Sequence, residues 1–374
     1  MLKSLIKIRN SIFGFFYRNV FKKIFFLFDA ENVHDFFTVT GKILGSNFIT
    51  RGLTCFFFNN PDQKILNQKI HGIHFKNPFG LSAGFDKNAE LTKIIPEVGF
   101  GFEEIGSITG EYCTGNAKPR LWRLIKSQAL VVYYGLKNDG CEKISARLKD
   151  RKFKIPIGVN VAKTNCKNTT TTEEGIADYV KAYRHFLHIG DYFTINISCP
   201  NTFGGEPFHD GEKLDKLFTA LGKYPTKKPI FIKISPDLSD SQIDDIIKIS
   251  KKHHVSGFIC TNLTKKRENL KIVDEKVPTN GGISGKAVED LANKMIANIY
   301  KKTKGKFTII GCGGVFSAAD AYKKIRLGAS LIELITGMIF QGPQLISEMN
   351  LELAELLKKD GFKNIQEAIG IDIN

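Results

Sequence analysis

From Phe79 onward, short runs rich in β-branched and aromatic residues alternate with stretches of helical spacing, and this alternation constrains the fold most. The runs are Phe79–Ala83, Phe102–Ile108, Ile155–Val161, Tyr192–Ser198, Pro229–Ser235, Gly257–Asn262, Phe307–Gly311 and Leu331–Thr336. Helical patterns over Gly175–His188, Ser239–His253, Ala287–Lys302 and Ala318–Leu327 fill most of the gaps. Repeated strand–helix alternation means parallel pairing. Eight such units fit a closed (β/α)8 TIM barrel better than an open sheet. The expected division is a helical N-terminal extension over 1–46 and one barrel over 47–374. The chain has 374 residues, 42% of them hydrophobic, which is enough for one large core. The segment Ile65–Phe75 reads as a small hairpin closing the barrel bottom.

The first 28 residues hold no acid and six bases: Lys3, Lys7, Arg9, Arg18, Lys22 and Lys23. Between them Phe13, Phe16, Val20, Ile24 and Leu27 share one helical face, which Phe15, Phe21, Phe25 and Phe26 widen. The charges interrupt every long apolar run, so a spanning helix is not expected, and no cleavage site marks a secretory signal. A second helix is expected to start at the N-cap Asp29, to carry Val33, Phe36, Phe37, Thr40 and Leu44 inward, and to end at Gly45. A basic, apolar helix pair suits a membrane interface. The plainer alternative is that both helices pack on the barrel as ordinary core.

The net charge of +16 is spread over exposed helical stretches such as Lys248–Lys252. With no aromatic-plus-basic motif, it reads as a solvated surface aided by anionic lipid, and nucleic acid is not an expected partner. Seven cysteines without C-x-x-C spacing fit neither a disulfide framework nor zinc, and imply a reducing compartment. The eight histidines form no metal signature.

Barrel chemistry sits at the C-terminal ends of strands. Here those ends carry Asn160, Asn196, Lys233 and Thr261-Asn262, polar groups that burial penalises unless they are bonded. Together they point to a polar ligand over the barrel mouth. Gly311-Cys312-Gly313-Gly314 follows the seventh run, and Thr336-Gly337 follows the eighth. Glycines there let backbone N–H groups approach a phosphate, and a helix N-terminus adds its dipole.

Ala83-Gly84-Phe85-Asp86-Lys87, Asn196-Ile197-Ser198-Cys199-Pro200-Asn201-Thr202 and Ile310-Gly311-Cys312-Gly313-Gly314 together resemble the dihydroorotate dehydrogenases. Lys118-Pro119-Arg120-Leu121, Gly282-Ile283-Ser284-Gly285 and Gly342-Pro343 also match, so the resemblance runs from Asp29 to the C-terminus. The N-terminal extension resembles the membrane-associated, quinone-using class. The resemblance implies FMN and oxidation of dihydroorotate to orotate in pyrimidine synthesis. It implies a flavin site of Ala83, Gly84, Lys87, Ser107, Asn160, Asn196, Lys233, Thr261, Gly285, Gly313, Gly314, Thr336 and Gly337. Lys87, Asn196, Asn201 and Asn262 would bind the substrate. It also implies a peripheral protein on the cytoplasmic face of a bacterial-type cell membrane.

Cys199 stands at the position of the base that removes a proton from the substrate. The quinone class usually has Ser there, and the soluble class has Cys. A thiol, with an ordinary pKa of about 8.5, ionises far more readily than a hydroxyl. The plainer reading, a small buried hydrophobe, suits Cys55, Cys113, Cys141 and Cys166. Phe203-Gly204-Gly205-Glu206 and Pro207 suggest a loop that closes over substrate. Two positions depart from the family: Val132 replaces a substrate-binding Asn, and Leu263 replaces a frequent Thr. The alternatives are an FMN barrel oxidoreductase with a related cyclic substrate or a soluble acceptor, a barrel isomerase or lyase gripping a phosphorylated substrate, and a non-catalytic membrane-bound barrel.

Overall fold

In the computed structural model, the structure describes residues 2–373 apart from 200–204, 206 and 269. Eight strands close into a barrel with every neighbouring pair parallel. They are β1 (Phe79–Leu81), β2 (Phe102–Ile108), β3 (Ile157–Val161), β4 (Tyr192–Asn196), β5 (Ile230–Ile234), β6 (Gly257–Cys260), β7 (Thr308–Cys312) and β8 (Leu331–Leu334). Each lies within one residue of the run that announced it or stops short of it, because the polar residues that follow leave the ladder for the barrel mouth. Ile332 of β8 pairs with Phe79 of β1 and closes the circle.

Helices cover the outside, and their starts follow local chemistry. Thr171 and Glu174 form a capping box, so the helix expected from Gly175 begins at Thr172. Ser239 and Gln242 do the same for Asp240–Lys252. Below the barrel, Gln68–Ile70 and Ile73–Phe75 form an antiparallel pair. Phe75 meets Phe102 edge to face at 5.5 Å, within a layer completed by Tyr192, Phe231, Ile259, Ile310 and Leu331. That layer seals the lower end, so a ligand can enter only from above.

The N-terminal extension holds three helical stretches. Leu2–Phe16 continues through a π-turn at Tyr17–Phe21 into Lys22–Phe25. Asp29 caps Ala30–Ser46 by accepting from Glu31 N and Asn32 N, each at 3.0 Å. Gly45 does not end this helix. A Cβ there would lie 3.3 Å from Lys93 Cβ and 3.4 Å from Ile94 Cβ, so the glycine serves close packing. A third helix, Phe48–Phe58, was not foreseen; it follows at once, with Thr50, Arg51 and Thr54 on its inner side and most of its apolar residues outward.

Leu2–Phe16 rests on the barrel helix Leu345–Lys359, where Asn10 Nδ2 donates to Ser347 Oγ at 3.0 Å. It buries only Ile6, Asn10 and Gly14. Of the 24 large hydrophobic side chains exposed among the described residues, 20 lie between Leu2 and Phe57. Packing on the barrel therefore occupies one face and leaves a broad apolar face open. No helix among the described residues is long and apolar enough to cross a membrane.

Candidate active site

Above the sealed bottom, the barrel interior turns polar. Lys233 rises from β5 and is buried among Ser82 Oγ at 3.0 Å, Glu104 Oε1 at 3.3 Å and Glu333 Oε2 at 3.3 Å. Glu104 also accepts from Asn160 Nδ2 at 2.8 Å and Thr194 Oγ1 at 2.6 Å. Burial works against the Lys233 ammonium, but Glu333 and Glu104 outweigh it and raise the group above its ordinary value. Burial, then repulsion from Glu104, pushes the Glu333 carboxyl up toward its protonated form. The floor thus presents a permanently charged ammonium upward.

A cavity of about 320 Å³ lies over this floor. The structure brings Ala83, Gly84, Lys87, Ser107, Asn196, Lys233, Thr261, Gly285, Gly313, Gly314, Thr336 and Gly337 to its wall, together with Cys199 and Asn262. Asn160 is not on the wall; it is wholly buried below, bonded to Glu104. Asn201, Phe203, Gly204 and Glu206 lie outside the described residues. Val132 and Leu263, the apolar departures, both face the cavity.

Hydrogen bonds hold the Cys199 wall. Asn196 Nδ2 donates to Ser107 Oγ at 3.0 Å, and Ser198 Oγ donates to Lys233 O at 2.9 Å. Asn262 Nδ2 donates to Ser198 O at 2.5 Å. Lys163, buried behind this wall, is lowered by burial, while Asp178, Cys166 and Cys199 pull it back up.

The turns after β7 and β8 meet. Gly313 and Gly314 have φ of +114° and +75°, conformations closed to most L side chains. A Cβ on Gly337 would lie 2.0 Å from Val315 O, and one on Gly285 2.9 Å from Thr336 Cγ2. Ser284 Oγ lies 3.0 Å from Thr336 Oγ1. The result is a cradle of backbone and hydroxyl groups.

Over the mouth lies a three-stranded sheet of Leu121–Leu124, Ala129–Val132 and Gly282–Gly285. Beside it the cavity runs out between the N-terminal helices, past Tyr17, Phe25, Phe26, Val33, His34 and Phe37. Phe25 and Phe26 therefore line this apolar end instead of widening the outer face. Tyr17 Oη donates to Ile339 O at 2.7 Å, and burial pushes its hydroxyl up to about 12.

Sequence reasoning missed Glu104, Glu333, His34, Tyr134 and Arg123. Three acids inside the apolar runs Phe102–Ile108 and Leu331–Thr336, namely Glu103, Glu104 and Glu333, were the available signal for the floor, since burying an acid in a strand is costly. No periodicity marks the other three, which arrive by tertiary packing.

The residues fit a flavin phosphate cofactor. The glycine cradle suits a phosphate, Lys233 suits a ring that becomes anionic on reduction, and the buried Tyr134 Oη and Glu333 Oε1 have no hydrogen-bond partner among the described residues. The family model described as dihydroorotate dehydrogenase matches residues 65–357. The chain is 38% identical over 363 residues to dihydroorotate dehydrogenase (quinone) of Nautilia profundicola, covering 95% of this chain and 97% of that protein. It is 41% identical over 320 residues to the protein of the same name in Crocosphaera subtropica, covering 83% and 84%. The crystal structure of ligand-free DHODH from Eimeria tenella superposes with a TM-score of 0.79 at 32% identity, covering 86% of this chain and 97% of that one. The same protein in complex with ferulenol gives 0.81 at 31% identity, covering 92% and 96%. Sequence, barrel and site agree, and the chain belongs to the dihydroorotate dehydrogenase family.

Proposed function

We infer that this chain oxidises dihydroorotate to orotate in pyrimidine (UMP) biosynthesis, with FMN as cofactor and a membrane quinone as electron acceptor. One observation carries the reading: a single cavity joins Cys199 and Lys233 at one end to the apolar gap between the N-terminal helices at the other. Ala83, Gly84, Ser107, Thr261 and Gly285 would border the FMN ring system, and Gly313, Gly314, Thr336 and Gly337 its phosphate, while Asn160 acts from below through Glu104. Bound there, FMN supplies a hydride acceptor for C6 of the substrate and a store for two electrons.

Every other task falls to the chain. Lys87 offers a cation to the substrate carboxylate, and Asn196, Asn201 and Asn262 offer amides to its ring. Cys199, as thiolate, takes the C5 proton as the hydride leaves C6, so the substrate loses H⁻ and H⁺ and gains a double bond. Lys233 offsets the negative charge that reduction brings to its neighbour. The apolar end, with Tyr17, Phe25 and Phe37, suits a quinone ring and tail. We place the acceptor-access and membrane-binding role on residues 1–46 together with Phe48–Phe58, and the chemistry on the barrel. This describes a peripheral protein on the cytoplasmic face of a bacterial-type membrane.

The deciding experiment is anaerobic mixing of purified protein with dihydroorotate while following flavin absorbance. Rapid bleaching supports cofactor and substrate together. A yellow protein that fails to bleach assigns Val132 and Leu263 to a changed substrate. A colourless protein that added FMN does not restore overturns the reading.

A further inference from the structure

One contact in the cavity wall is used by neither the hydride chemistry nor the acceptor gap. His34, on the helix Ala30–Ser46, places Nε2 3.1 Å from Lys87 Nζ. The same nitrogen lies 2.9 Å from the Phe85 carbonyl oxygen, and Nδ1 lies 3.2 Å from Asp35 Oδ1. The His34 side chain is 13% exposed and that of Asp35 48%, so the imidazole stands between a cavity lysine and a solvent-facing carboxylate.

These partners make conflicting demands. A carbonyl and a carboxylate only accept, so they call for N–H at both ring positions. An ammonium only donates, so Lys87 calls for a lone pair at Nε2. Two arrangements carry one shared proton, and only the second satisfies Phe85 O. In one, Lys87 is the ammonium and donates to a bare Nε2, while Nδ1–H donates to Asp35. In the other, an imidazolium donates to Phe85 O and Asp35, and Lys87 is a neutral amine. Both hold one proton in the pair. Protonating both groups would set two buried cations 3.1 Å apart.

Burial disfavours a charge on either group. Burial lowers Lys87 to about 7, with Asp35, Glu31 and Asp86 pulling it up and Lys137 pushing it down. Burial, then the charge of Lys87, lowers His34, and Asp35 opposes both. The Tyr134 ring lies 4.1 Å from Lys87 Nζ and 5.3 Å from Arg120 Cζ, a neutral face between two cations.

We propose that His34 is a positioning residue for Lys87, and that the two side chains share one proton which a carboxylate-bearing substrate or product draws onto Lys87. The inference rests on the reading of Lys87 as the partner of the substrate carboxylate. The anion then meets a full ammonium without the pair taking a proton from solvent, and His34 is left neutral. When the anion leaves, the proton returns to His34, which faces the apolar end of the cavity. The N-terminal extension thereby takes part in substrate binding as well as in acceptor access.

Two measurements on the flavin-loaded full-length protein test this. In protein labelled with 15N-histidine, with the His34 signal assigned through His34→Gln, the His34 titration midpoint should fall when orotate is added. An unmoved midpoint overturns the proposal, and this readout needs no variant to be active. Calorimetric titration with orotate from about pH 6 to about pH 9 spans both groups. Wild-type affinity should decline as pH rises and Lys87 loses its proton. His34→Phe cannot accept from the ammonium. It should bind orotate about tenfold more weakly at neutral pH, the worth of a lost charge-assisted bond, with the decline beginning at lower pH. His34→Gln, whose amide oxygen accepts, should recover part of the loss. Superimposable profiles in all three proteins overturn the proposal. If the wild type binds no orotate at any pH, the substrate reading falls and takes this inference with it. If it binds while His34 stays silent, only this inference falls.

Discussion

Glu31 and Arg120 form a two-point ion pair, with Nε to Oε2 at 3.0 Å and Nη2 to Oε1 at 2.8 Å, sealed in the joint between the N-terminal helix Ala30–Ser46 and the sheet over the cavity. Lys137 adds a third contact at 3.2 Å. Arg120 is itself fixed by donating to Thr114 O and Asn116 O. The helix that carries His34 is therefore pinned to the barrel one turn before His34.

That pair predicts an acid-sensitive joint. Burial opposes the Glu31 carboxylate, but Arg120 and then Lys137 hold it down from its ordinary 4.5 to about 2. A depressed carboxylate stabilises the fold fully above its unfolded pKa and ceases to do so as pH falls through its folded pKa. The contribution is thus present above about pH 4.5 and lost on the way to about pH 2. Glu31→Gln leaves a buried guanidinium short of its counter-charge and should cost about 3 kcal/mol at neutral pH. Thermal melts of both proteins check this: the gap in Tm should narrow on acidification, and a gap that stays constant to about pH 3 assigns it elsewhere.

Cys199→Ala should retain the flavin spectrum and slow flavin reduction by dihydroorotate by about 10²- to 10⁴-fold, the usual span for a lost general base. Cys199→Ser should recover activity only toward alkaline pH, because a hydroxyl ionises less readily. Stopped-flow reduction across pH measures both, and an unchanged rate in the alanine variant removes Cys199 from the chemistry.

Lys233→Met removes the cation between Glu104 and Glu333. An uncompensated buried charge costs about 3–5 kcal/mol, so the variant should melt early and release its flavin readily. Adding Glu333→Gln should return part of that stability, because the second substitution removes a carboxyl that would otherwise face Glu104 alone. Calorimetry of the single and double variants tests the coupling, and additive losses would argue against it.

Removing residues before Asp29 deletes Tyr17, Phe25 and Phe26 from the cavity and 11 of the 20 apolar side chains exposed between Leu2 and Phe57, yet leaves Glu31 and His34 in place. Flavin reduction by dihydroorotate should be spared, while quinone reduction slows and binding to anionic vesicles weakens. Vesicle flotation and the two half-reactions, measured separately, decide this. Full quinone turnover by the truncated protein would refute an acceptor role for the segment.

The barrel was legible because a parallel strand buried on both faces must be apolar and β-branched, and eight such runs left little room for another topology. The strand-end polar residues and the glycine turns were legible for the same reason, as departures from that pattern. What escaped depends on geometry that no local pattern carries. His34 reads as one more helix residue until Ala30–Ser46 docks against Phe85. Arg123 sits in the short strand Leu121–Leu124, whose register is set by pairing with Ala129–Val132, and Tyr134 lies in the loop just after that pair. Phe48–Phe58 escaped although Thr50, Arg51 and Thr54 recur at helical spacing, because its polar side faces the protein and its apolar side faces out, the reverse of the usual pattern. Asn160 was legible as a site residue, but not the fact that it points down to Glu104.

On the proposed function, the twenty apolar side chains that this protein leaves open between Leu2 and Phe57 rest on lipid. Its two reactants arrive from different phases: one dissolved in three dimensions, the other spread in two. Enzyme and acceptor meet at a rate set by how many of each occupy a unit of surface, so diluting an assay with buffer should hardly slow the acceptor step, whereas diluting it with inert lipid should.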